Sequence, residues 1–237
     1  MILLSYIRKL FLLFTIPTSW YSNLMAKAKD KSANQVSKLS AKEKILSAAF
    51  TLIRTQGYSS TTVDELCKHA GVTKGSFFHY FESKEDLAVK AAEFWSLVTG
   101  KLFESAPYHN HSDPLDRLLG YVDFRREILR GKIPEFTCLV GTMVQEAFEV
   151  SPKIRKACRE SIFGHAETLE KDISEAKKLY SVKTQRWTSK SLALHTQAVL
   201  QGAFILAKAG DDVDHLINYI QMLFNKPIAG EKLWQSM

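Results

Sequence analysis

The sequence is poor in residues that break helices and lacks the pattern that builds sheets. Its 237 residues include 11 glycines and 6 prolines, and hardly any stretch alternates apolar and polar residues as a half-buried strand does. Spacings of three and four recur instead, so the chain is predicted to be all-α. The three cysteines, Cys67, Cys138 and Cys158, are an odd number without short paired spacing. That excludes a disulfide framework and a zinc knuckle and fits a reducing cytoplasm. The apolar run "LFLLFTI", Leu10 to Ile16, is too short to cross a bilayer, so no membrane partner is expected. No Ser, His and acid set, phosphate-cradling glycine loop or paired metal ligands stands at a useful spacing, which argues against an enzyme and against a cofactor. His109, His111 and Asp113 crowd into one loop without a distant partner, so no metal is expected there either.

An apolar fraction of 46% is ample for a packed core, and the net charge of +7 with a pI near 9.2 leans toward anionic partners. The first 24 residues differ from the rest: they hold no acid, and Arg8 and Lys9 precede the apolar run. A targeting signal, an extra amphipathic helix and an over-extended start are the alternatives. Residues 1–39 are set apart as a leader, with translation expected to begin at Met25.

Helix signals follow in close order. Ser40 with Glu43 forms a capping box ahead of Ile45, Leu46, Ala49, Phe50, Leu52 and Ile53, and Gly57 ends that helix. Thr62 with Glu65 forms a second box, and Gly71 stops the helix that carries Val63, Leu66, Cys67 and Ala70. Only Gly71 and Val72 precede Thr73, which caps a third helix, so two short helices meet through one tight turn in the manner of a helix-turn-helix. A fourth starts at Ser83 and runs toward Phe103. "SAPYHNHSDP", Ser105 to Pro114, reads as a linker. Further helices are expected at 114–130, 137–149, 152–178, 188–209 and 212–225.

The third helix has the most telling composition. In "VTKGSFFHYF", Val72 to Phe81, the rings of Phe77 and Phe81 share one face and serve as anchors. The opposite arc presents Gly75, Ser76 and His79, flanked by Phe78 and Tyr80, with Lys74 at the exposed N-terminal end. Small residues lead because that end must approach something closely, and a helix of this width suits the DNA major groove. Ser76 and His79 can bond base edges, Phe78 can pack on a thymine methyl, and Tyr80, Lys84, Thr61 and Thr62 can reach phosphate.

From Lys42 to Ala91, "KEKILSAAFTLIRTQGYSSTTVDELCKHAGVTKGSFFHYFESKEDLAVKA" resembles the amino-terminal DNA-binding domain of the TetR family of bacterial transcriptional regulators. The resemblance implies an all-helical homodimer: a three-helix head at 40–101 binds a palindromic operator, and a domain at 112–227 binds a small-molecule effector and dimerises. It also implies that Thr62, Tyr80 and Lys84 contact phosphate and that Lys74, Gly75, Ser76 and His79 face the groove. Phe78 departs from the tyrosine common there. "TCLVGTMVQEAF" and "QAVLQGAFILAKAGDD" resemble one branch of the family more loosely, and the last two long helices are expected to pair with their twins in a four-helix bundle. The effector is not legible, and no pocket is assigned from Phe94, Trp95, Phe124, Met143 or Phe148. Cys138, at an expected helix N-terminus, is the one candidate ligand-responsive residue. The function expected is that of a repressor released by its effector. A ligand-independent DNA-binding dimer and an enzyme with a DNA-targeting head are the alternatives.

Overall fold

The computed structural model describes residues 40–129, 131–183 and 186–211. The expected leader at 1–39 and the expected last helix at 212–225 lie outside the described residues. All regular elements among the described residues are helical: α1 (Ala41–Gln56), α2 (Val63–Ala70), α3 (Lys74–Tyr80), α4 (Lys84–Glu104), a 3-10 turn (Pro107–Asn110), α5 (Pro114–Glu127), α6 (Ile133–Phe136), α7 (Leu139–Ala147), α8 (Pro152–Leu179) and α9 (Ser189–Gly210). They fall into two compact units, one holding 40–101 with 131–161, the other 102–129 with 162–211.

In the first unit the helix ends form as their residues dictate. Ser40 Oγ accepts from the Glu43 N–H at 3.3 Å while the Ser40 N–H donates to Glu43 at 2.6 Å, and Thr62 and Glu65 repeat the exchange at 3.2 and 2.8 Å. Gly71 ends α2 in the left-handed region at φ +64, which glycine adopts without a Cβ penalty. Ile45, Phe50, Ile53, Leu66, Phe77, Phe81, Leu87 and Ala91 are fully enclosed and form the core of the head.

Residues 131–161 belong to this same unit and fasten onto the head's first loop. Glu146 on α7 accepts from the N–H groups of Tyr58 at 3.1 Å and Ser59 at 2.7 Å, which no helix bond satisfies. A Cβ on Gly57, at φ +89, would lie 2.3 Å from that carboxylate, so glycine is needed there for conformation and for space. Arg54 is buried: it donates to the Phe50 and Glu135 carbonyls at 2.9 and 2.8 Å and lies 5.3 Å over the Trp95 ring. Burial pushes its guanidinium down to about 10. Ser151 donates to Glu85 at 2.6 Å. The short α6 was not expected. Pro134 lies in its first turn, where a missing N–H costs nothing.

In the second unit, the stretch expected as a linker is folded in. Tyr108 is buried, because Gly120 on α5 lets it close in: a Cβ there would lie 2.7 Å from Tyr108 Cβ. His109 bonds the Phe103 carbonyl at 3.0 Å, and Asp113 caps α5 through the Leu115 N–H at 2.7 Å and accepts from the Tyr180 hydroxyl. His109 and Asp113 of this loop thus bond helix ends, while Asn110, His111 and Ser112 are exposed. On α9, capped by Thr188, one side buries Leu192, Leu200, Ala203 and Phe204, while Ile205 and Leu206 are 49% and 51% exposed.

Candidate nucleic-acid interface

Two turns of helix, α3, carry the expected groove-facing set. The Thr73 hydroxyl accepts from the Ser76 N–H at 3.1 Å and fixes where the helix begins. Phe77 is 0% exposed and Phe81 1%, their ring centroids 5.5 Å apart, so the helix is held from behind by aromatic packing. On the other side Lys74, Gly75, Phe78 and His79 are exposed, and Ser76 and Tyr80 half-buried. Phe78 is 56% exposed although a neighbouring apolar core is available to the ring beside it, and it is the exposed large apolar side chain of α3. His79 packs edge-on to Tyr80 at 4.7 Å.

The phosphate-facing residues are arranged less simply. Thr62 is exposed, its hydroxyl shared with Glu65 at 2.9 Å. Lys74 is paired with Asp64 at 2.7 Å in an exposed bridge that raises its pKa and that salt would weaken. Two of the residues expected at phosphate have their side chains engaged within the head. Thr61 is 1% exposed and gives its hydroxyl to the Gly57 carbonyl at 2.6 Å, so its side chain does not face solvent. The Lys84 ammonium donates to the carbonyls of Tyr58, Ser59 and Thr61 at 3.1, 3.3 and 3.0 Å and lies 4.4 Å from the Tyr58 ring. A phosphate contact through Lys84 would have to replace those bonds. Lys84→Ala is therefore expected to lower the denaturation midpoint and leave the salt slope of DNA binding unchanged; a slope reduced by about 1 would restore the phosphate role.

Cys138 caps α7, its Sγ accepting from the Gly141 N–H at 3.4 Å, and is half-buried. Cys67 and Cys158 are buried, and burial pushes the Cys158 thiol up to about 12. Of the residues left unassigned in the sequence, Met143 is enclosed, Phe148 is exposed, and Phe94 and Trp95 pack on Phe50 at 5.8 and 5.3 Å.

Sequence comparison agrees with this geometry. Residues 45–91 match the bacterial regulatory proteins of the tetR family, and residues 114–222 match the C-terminal domain of LmrA/YxaF-like transcriptional regulators. The transcriptional regulator AcuR of Cereibacter sphaeroides is 32% identical over 117 residues, 49% of this chain and 53% of AcuR. YxaF of Bacillus subtilis, an HTH-type transcriptional regulator, is 29% identical over 50% of this chain and 62% of its own length. The chain thus spans between half and two thirds of these two relatives. The HTH-type transcriptional regulator LmrA of Bacillus subtilis is 27% identical over 70% of this chain and 86% of LmrA. A solved structure of a regulatory protein TetR from Rhodobacter sphaeroides superposes with a TM-score of 0.68 at 26% identity, over 77% of this chain and 96% of that one. A three-helix head with an outward aromatic-backed helix, and family matches over residues 45–91 and 114–222, lead to one conclusion: the chain belongs to the TetR family of bacterial regulatory proteins and carries its helix-turn-helix domain.

Proposed function

We propose that the protein is a homodimeric repressor that binds a palindromic operator through two copies of α3 and leaves it when a small-molecule effector binds. The observation that carries the DNA half is the split personality of α3: enclosed rings at Phe77 and Phe81 on one side, Gly75, Phe78 and His79 open on the other. Lys74, Gly75, Ser76, Phe78 and His79 form the proposed groove-facing set, with Thr62 and Tyr80 at the flanking phosphates. Two heads on one dimer read two half-sites, about 34–36 Å apart or somewhat more. The head is taken as 40–101 and the effector-binding and dimerisation domain as 112–227, acting in the cytoplasm where operator DNA is. No helix among the described residues is long and apolar enough to cross a membrane.

Dimerisation is assigned to the last two long helices. Neighbouring Ile205 and Leu206 on α9, each about half exposed, form an apolar patch that a second copy would cover. The pair Ile205→Glu with Leu206→Glu is expected to give a monomer in sedimentation and to weaken operator binding about 100-fold or more, since joined half-sites share one linker entropy. A variant that sediments unchanged would contradict the assignment. An unaltered dimer whose operator affinity responds to no small molecule would favour the ligand-independent reading.

A further inference from the structure

Among its described residues, the second unit contains a cation without a counter-ion. Arg117, Tyr121 and Arg125 recur every four residues along α5 and so share one stripe, which faces α8. At one end Arg117 is neutralised twice, by Asp172 at 2.8 Å and by Glu175. Two turns on, Arg125 meets no carboxylate among the described residues. Its Nε donates to the Tyr121 hydroxyl at 2.8 Å and its Nη2 lies 2.8 Å from His165 Nε2, with the Tyr121 hydroxyl 3.1 Å from the same nitrogen. The guanidinium lies 4.2 Å from the centroid of Phe103 and 5.2 Å from that of Tyr121.

The protons can be placed from these contacts. Arg125 always donates, and the Tyr121 hydroxyl that accepts from it has its own hydrogen free for His165. Burial, and then the Arg125 charge, pull the His165 imidazole down to about 3, so the ring is neutral near pH 7. Its Nε2 is therefore the acceptor of both bonds and its proton is on Nδ1. Nothing in the cluster offsets the arginine, and Nη1 makes no hydrogen bond among the described residues. A half-buried guanidinium among aromatic rings, with no carboxylate beside it, gains from an anion that joins it. Phe103, Tyr108 and Phe124, with ring centroids 5.5 to 5.9 Å apart, supply an apolar surround.

We infer that Arg125, with Tyr121 and His165 orienting it, is a binding site for a small organic monocarboxylate with an apolar body. A carboxylate matches the planar fork, and one net positive charge matches a monoanion better than a phosphate dianion. The inference rests on the effector-binding reading above and names the effector's chemical class.

Thermal unfolding of the full chain tests it in two ways. Without ligand, Arg125→Gln is expected to leave the melting temperature unchanged or raised, because it removes an unpaired charge, whereas Arg117→Gln lowers it by breaking a double ion pair. Equal losses for the two variants would make Arg125 a structural residue and overturn the site. With ligand, benzoate, phenylacetate or hexanoate at millimolar concentration is expected to raise the melting temperature of the wild type, while benzamide, phenylacetamide and hexanamide do not. Arg125→Gln should abolish the acid-specific shift, and Tyr121→Phe, which keeps the buried ring, should weaken it about tenfold. Amides as effective as acids, no acid effective, or an undiminished shift in Arg125→Gln would overturn the site. Operator binding separates the two readings. Acids that stabilise the protein through Arg125 but never release DNA would sink the repressor reading and leave the site standing. Release by an uncharged compound, undisturbed in Arg125→Gln, would do the reverse.

Discussion

Replacing Phe77 by alanine is expected to cost about 3–5 kcal/mol of stability, most of what a domain of this size can lose. The ring is fully enclosed, 5.1 Å from Phe78 and 5.5 Å from Phe81, and its loss leaves a cavity behind α3, which packs on α1 and α2. The change should appear as a lowered denaturant midpoint, with an unaltered midpoint contradicting the anchoring role. DNA binding would fall with it, for want of a folded head.

Phe78→Ala is expected to do the opposite, although it alters the adjacent residue. With over half its surface open, Phe78 contributes little to the fold, so the midpoint should move by less than about 1 kcal/mol. If its ring packs against a thymine methyl in each half-site, losing about 1 kcal/mol twice weakens operator binding roughly 30-fold. The two variants together separate the back of the helix from its front. A Phe78→Ala protein that binds operator normally would remove the ring from the interface while leaving the anchoring account intact.

Much of the head was legible because its determinants are local. A cap and its box lie within four residues, so Ser40 with Glu43, Thr62 with Glu65, and Thr73 announce helix starts, and Gly57 and Gly71 announce stops. The four-residue spacing of Phe77 and Phe81 shows which face of α3 is inward. What was not legible depends on distant partners. Whether Lys84 faces solvent or caps the Tyr58–Thr61 loop depends on how α4 is placed against residues 23 or more positions away. Thr61 turns inward because its hydroxyl finds the Gly57 carbonyl, a matter of loop conformation and not of composition. The Glu146 clamp spans 88 and 87 residues. On α5 the periodic Arg117, Tyr121 and Arg125 were visible in principle. That one arginine is paired and the other is not becomes apparent only when α8 supplies Asp172 and Glu175 at one level and His165 at the other. The loop from Ser105 to Pro114 is less of a linker than its composition suggests for a related reason: His109 and Asp113 bond helix ends, and Tyr108 fills the space that Gly120 leaves.

The most direct measurement is selection of binding sites from a pool of random duplexes, run in parallel with the wild type and with His79→Ala. The account predicts an inverted repeat for the wild type and, for the variant, the same repeat with preference relaxed at one or two base pairs in each half, about 1–3 kcal/mol for the favoured base. Recovery of no preferred sequence by the wild type, or of an identical profile by the variant, would contradict the placement of the open face of α3 against the bases.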